Sequence, residues 1–179
     1  MFGLGKPYAI LSAGWLHGGL LHIGFNMYWV WNLLPAVSDA FGAGRTLVIY
    51  QIAAGTGFLL SSFMGAYLPS VPMFGGAPSI TVGASASLCG LLGALLFYGR
   101  RTSSEVARNV WRVVLFLAIF GFLMPGIDNA AHLGGFLGGY FVASRFGAFS
   151  PERGKHAIWG AGLLGLSLAA IFLSLLTTF

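Results

Sequence analysis

Thr81-Val82-Gly83-Ala84-Ser85-Ala86-Ser87 opens an apolar run that continues to Gly99, and Ala130-Ala131-His132-Leu133-Gly134-Gly135 opens another that continues to Gly147. Each run carries one conspicuous polar group near its start, Ser85 in the first and His132 in the second. An unpaired hydroxyl or imidazole in lipid costs on the order of several kcal/mol, so such groups face a partner or a water-filled cavity. Two helices lying side by side in the same direction would hold the two groups at one depth. That is the geometry of a nucleophile and its general base.

The rest of the chain has the same character. Of its 179 residues 57% are hydrophobic and only 7% charged, with a mean hydropathy of +0.85. A soluble domain carries about 25% charged residues. A spanning helix needs about 20 mostly apolar residues, and six stretches qualify, at 17–37, 46–67, 83–99, 110–124, 130–147 and 157–177. The expected fold is an all-α polytopic membrane bundle with six transmembrane helices. The 28 glycines are scattered through these runs, where small residues let helices approach closely. The single cysteine, Cys89, excludes an internal disulfide. No charged start with an apolar core marks a cleavable signal peptide.

The net charge of +5 comes without a basic face interleaved with aromatics, so no nucleic-acid partner is expected. The charge instead reads as topology. Arg45, Arg100, Arg101, Arg108, Arg112, Arg145, Arg153 and Lys155 fall on one side of the six stretches, leaving Lys6 on the other. The positive-inside rule makes the basic side cytoplasmic. The first, third and fifth stretches then begin near the outer face, which brings His22, Asn26, Ser85 and His132 to comparable depth. Charge counting did not use those four residues. The uncharged, glycine- and proline-rich loop 68–82 falls on the same face, placed to border or gate a cavity there.

A helix N-terminus presents unpaired amides and a positive dipole end that favour a developing oxyanion. Ser85 stands at such a position, although a serine there also serves as an ordinary cap. Ser87 points about 200° away on a 3.6-residue helix. A hydroxyl needs a base to become a nucleophile near neutral pH, and an imidazole supplies one. His132 could equally be a structural histidine. Gly135 and Gly139 form a small-residue face, and Ala86, Gly90 and Ala94 offer a matching row, so the two helices can approach closely enough for Ser85 and His132 to meet. His22 and Asn26, four apart, share a helix face as oxyanion donors or as a packing pair. His17 should point elsewhere and anchor the preceding loop. Asp128 invites a triad with His132, but it follows Pro125-Gly126 at a helix start where aspartate is a favoured cap, so a dyad is the better reading. Without HExxH or a carboxylate-rich helix, no metal or other cofactor is expected.

These residues together resemble the rhomboid family of intramembrane serine proteases. His17-Gly18-Gly19-Leu20-Leu21-His22-Ile23-Gly24-Phe25-Asn26 resembles its first signature, Gly83-Ala84-Ser85-Ala86 its GxSG motif, and Ala131-His132-Leu133-Gly134-Gly135 with Gly139 its AHxxGxxxG motif. The resemblance implies Ser85 as nucleophile, His132 as base, His22 and Asn26 as oxyanion donors, transmembrane proteins as substrates, and cleavage near the outer membrane face without metal or ATP. It also implies a rhomboid-like catalytic membrane domain over residues 1–150, comprising core helices two to six with the first core helix missing, and an extra C-terminal transmembrane helix over 151–179. A bacterial cytoplasmic membrane is the expected location, with the site towards the non-cytoplasmic side. Three departures stand out: Ala86 for the motif's last glycine, Cys89 for an aromatic residue one turn from Ser85, and Tyr8-Ala9 where Trp-Arg is common. They motivate the alternative of a catalytically impaired adaptor that binds transmembrane helices without cutting them. A channel or transporter would need charged or broken mid-membrane segments, of which the chain offers few.

Overall fold

The computed structural model describes residues 7–68 and 81–177, in which all regular structure is helical, with no strand among them. A short helix α1 (Ala9–Ser12) runs into a 3₁₀ turn (Ala13–Trp15). Six long helices follow: α2 (Leu20–Phe41), α3 (Ala43–Tyr67), α4 (Ser85–Thr102), α5 (Ser104–Leu123), α6 (Asn129–Phe146) and α7 (Gly154–Leu176). They coincide with the six apolar stretches to within six residues, the largest difference being the earlier start of α5 at Ser104. Most of the loop expected to gate the cavity lies outside the described residues; only Leu68, Thr81 and Val82 of it are described.

Local chemistry explains where the helices break. Gly42 adopts φ +88°, open to glycine at little steric cost, and turns α2 into α3 in a single residue. Arg100 and Arg101 occupy the last turn of α4, where cations suit the helix dipole. The Ser103 hydroxyl then accepts the Val106 N–H and caps α5. Asp128 caps α6 by accepting the Ala131 N–H at 2.8 Å.

The centre of the bundle is α4, which packs against α2, α3, α5 and α6. Its seam with α6 is made of backbone. A Cβ on Gly135 would run into the carbonyl of Ala86, and one on Gly139 into the carbonyl of Gly90. The expected small-residue faces therefore meet, and the glycine pairs of α6 divide the work. Gly135 and Gly139 lie on α4, whereas Gly134 and Gly138 lie on Thr56 of α3, whose hydroxyl donates to the Gly134 carbonyl at 3.0 Å. Farther along, Val37, Ile49, Leu91 and Leu92 fill the core.

By length and composition, three of the six long helices qualify as membrane spans, α3, α5 and α7. The expectation that all six qualify reads hydropathy as if every helix faced lipid. Buried α4 and α6 carry glycines for packing and arginines at their ends, and α2 carries His22, Asn26 and Asp39, so their apolar content is diluted. The outer surface is nonetheless apolar: Leu21, Trp31, Leu115, Phe122, Phe141 and Phe172 are all exposed, as lipid-facing side chains are.

Arg45 is the surprise of this fold. Its side chain is buried rather than free at a surface. Nε donates to His156 Nδ1 at 3.1 Å, Nη1 to the Ser150 carbonyl at 2.6 Å and Nη2 to the Pro151 carbonyl at 2.5 Å, with the guanidinium over the Phe146 ring. Glu152 Oε1 accepts the Arg45 backbone N–H at 2.9 Å. The start of α3 thus clamps the start of α7.

Candidate active site

Three helices present their starts at the end of the bundle opposite this clamp. A cavity of about 460 Å³ opens there, lined by His22 and Asn26 from α2, Ser85 and Cys89 from α4, and His132 from α6. Phe25, Trp29, Leu33, Leu92, Leu117 and Phe120 supply apolar walls. The fold thus brings all four candidate site residues to one space.

Ser85 is the first residue of α4, and the cap position belongs to Ala84, with no side-chain cap bond. The hydroxyl therefore does not serve as the cap. It is half-buried, whereas Ser87 is fully buried and does not line the cavity. The chain ahead of Ser85 is pinned from two sides. The Gly83 N–H donates to the Ala13 carbonyl at 2.9 Å, and Gly83 itself sits against the imidazole of His22 at φ +128°. A Cβ on Gly83 would lie 2.6 Å from His22 Nε2 and 3.5 Å from Asn26 Nδ2. Only a glycine lets the loop ahead of Ser85 approach His22 and Asn26 so closely.

His22 Nδ1 accepts the Gly18 N–H at 3.4 Å, which leaves Nε2 as the protonated nitrogen facing the loop of Ser85. Asn26 is 1% exposed and donates one N–H of its amide to the His22 carbonyl at 3.1 Å, leaving the second N–H for another acceptor. His17 does not point away from His22. Residues 16–19 are not helical, so helical angles do not apply to them, and the two rings meet edge to face at 5.2 Å. Among the described residues no group of three or more His, Cys, Asp and Glu side chains gathers as a metal site would require.

His132 sits one turn into α6, its N–H bonded to the Asp128 carbonyl at 3.1 Å. Although the helices touch, Ser85 and His132 share no hydrogen bond in this structure. Ala86, the departure from the motif, is accommodated. Its methyl turns towards α3, where Gly57 has no side chain, and joins Ala54, Phe58 and Ala131.

Comparisons with known proteins give the family. The family model of the Rhomboid domain matches residues 4–149. The chain belongs to the rhomboid family. It is an integral membrane protein built on that family's helical fold. Rhomboid protease GluP of Bacillus subtilis (strain 168) is 31% identical over 178 residues, covering 96% of this chain and 32% of that protein. RHOMBOID-like protein 5 of Arabidopsis thaliana is 33% identical over 146 residues, covering 77% of this chain and 43% of that protein. Inactive rhomboid protein 1 of Rattus norvegicus is 31% identical over 178 residues, covering 94% of this chain and 19% of that protein. The chain therefore spans less than half the length of each of these relatives. Family membership alone does not separate a cutting from a non-cutting rhomboid, since both kinds are similar to this chain.

Sequence reasoning missed Ser61, Thr81 and Trp29. Ser61 and Thr81 donate to the Asp128 carboxylate beside the cavity, and Trp29 lines it. Ser61 and Trp29 recur with the spacing of their helices, on the faces of α3 and α2 turned inward, and that periodicity was the available signal.

Proposed function

We propose that this rhomboid is an intramembrane serine endopeptidase that cuts transmembrane protein substrates with a Ser85–His132 dyad. The observation that carries the reading is the convergence of Ser85, His132, His22 and Asn26, from three helices, on one cavity at the end of the bundle remote from the arginines. His132 takes the Ser85 proton as Oγ adds to the scissile carbonyl, then passes it to the departing amine. Water, activated by the same imidazole, releases the acyl product. Asn26 Nδ2, His22 Nε2 and the Ser85 N–H donate to the oxyanion, and the open N-terminus of α4 favours that negative charge.

The sidedness follows from the basic residues. With their end of the bundle in the cytoplasm, all six long helices cross the membrane, that of a bacterial cell, and the cavity opens on the non-cytoplasmic side. Substrates are then cut in their outer segment or just beyond it. Residues 1–150 form the catalytic unit, and 151–179 append a further transmembrane helix.

A fluorophosphonate probe should label the detergent-solubilised protein, and Ser85→Ala should abolish labelling. Equal labelling of both proteins would sink the assignment. The second reading is an adaptor that holds transmembrane helices without cutting them. It is favoured by the similarity to an inactive rhomboid protein. Cleavage of a reporter helix in liposomes, lost in His132→Ala, would exclude it as the sole function.

A further inference from the structure

Asp128 borders the cavity but has no part in the chemistry proposed above. It is buried, and its carboxylate accepts three hydrogen bonds. Oδ1 takes the Ala131 N–H at 2.8 Å, the cap of α6. Oδ2 takes the Thr81 hydroxyl at 2.8 Å and, by a short bond, the Ser61 hydroxyl of α3. A cap needs only the first oxygen. The second ties together two other parts of the bundle. Thr81 lies four residues before Ser85, and Asp128 four residues before His132.

The seam between α4 and α6 shows why such a tie matters. Glycine backbones meeting along it allow close approach but offer few side-chain knobs to resist sliding along the helix axes. Closeness is set by the glycines; Phe97 of α4 meets Tyr140 of α6 edge to face towards the other end of the seam, so register beside Ser85 and His132 calls for a further tie. A displacement of about 1 Å between reacting groups costs on the order of 100-fold in rate. We propose that Asp128 is a positioning residue, whose carboxylate acts through Thr81 to hold the loop of Ser85 in register with His132. Ser61 anchors the same oxygen to α3, so the tie does not drift with either catalytic helix.

The catalytic half of this proposal rests on the protease reading; the tie itself does not, and the experiment separates them. Thr81→Val exchanges the hydroxyl for a methyl of similar size, leaving the cap and the Ser61 bond in place. In reporter cleavage its kcat should fall about 10-fold or more with KM nearly unchanged. Its thermal midpoint should stay near the parent's, and Thr81→Ser should restore turnover. The second measurement is amide hydrogen exchange of Val82–Ala86, which should quicken about 10-fold in Thr81→Val, the equivalent of one lost hydrogen bond. Asp128→Ser, which keeps a capping hydroxyl too short to reach Thr81, should quicken it as well. Parent-like exchange in Thr81→Val would overturn the tie, and parent-like kcat in an active background would overturn its positioning role. If the parent itself cleaves nothing while exchange quickens as stated, the protease reading falls and the tie stands.

Discussion

Gly57 on α3 should be the glycine that makes Ala86 tolerable, and Gly57→Ala is the sharpest perturbation of this fold. The added Cβ would lie 2.6 Å from the Ala131 carbonyl oxygen, 2.8 Å from the Ala86 Cβ and 3.3 Å from the Gly135 N. Two of those neighbours are backbone in α6, so they can yield only by moving the helix. Overpacking of this kind costs about 3 kcal/mol at the upper end. Replacing a mid-helix glycine with alanine returns about 1 kcal/mol of helix propensity. The net is about 2 kcal/mol of destabilisation, or a thermal midpoint lower by about 4–8 °C for a chain of this size. Ala131 and Ala86 are the immediate neighbours of His132 and Ser85, so turnover should fall by more than the stability change alone implies. Ala86→Gly in the same protein removes one of the three contacts and should restore part of both losses. Gly55, on the same helix, has open space around it, and Gly55→Ala should be neutral or slightly stabilising. Differential scanning fluorimetry in detergent, with reporter cleavage alongside, checks both. A Gly57→Ala protein that melts at or above the parent would refute the packing argument.

Three further outcomes are expected. Asn26→Ala should cut turnover by about 100- to 1,000-fold, the usual loss for one oxyanion donor, with a thermal midpoint near the parent's; aggregation instead would make its role helix packing. Arg45→Met should lower stability by about 3 kcal/mol, because it strands buried acceptors that the guanidinium satisfies, and should quicken hydrogen exchange at 150–156, while probe labelling of Ser85 persists in the folded fraction. In a Cys89→Ala background, Met124→Cys should react with an impermeant thiol reagent added outside intact cells and Ser104→Cys should not; the reverse pattern would overturn the orientation.

The helices and their limits were legible because their signals are local. Asp128 announces the start of α6 from its place after Pro125-Gly126, and the six apolar runs mark the six long helices. The pairing of Gly135 and Gly139 with Ala86 and Gly90 could also be read, since a helix face is set by spacing along one chain segment. His17 departs from the expectation because residues 16–19 are not helical, so spacing along a helix does not fix where its ring lies. The hydropathy of α2, α4 and α6 misleads in another way, because a helix buried among helices is selected for fit rather than for solubility in lipid.

By itself, the sequence determined an all-helical membrane bundle, the ends at which its charges and polar residues lie, and Ser85, His132, His22 and Asn26 as candidates for one site. Only the tertiary structure decided what holds them there. Arg45 looked like one more topological charge, yet it is buried against a loop more than 100 residues away. Asp128 looked like a cap, yet its second oxygen receives hydroxyls from residues 47 and 67 positions distant. Periodicity reports which face a residue occupies because that follows from the geometry of its own helix. It carries no information about which distant atom comes within hydrogen-bonding distance, because that depends on how several helices pack at once.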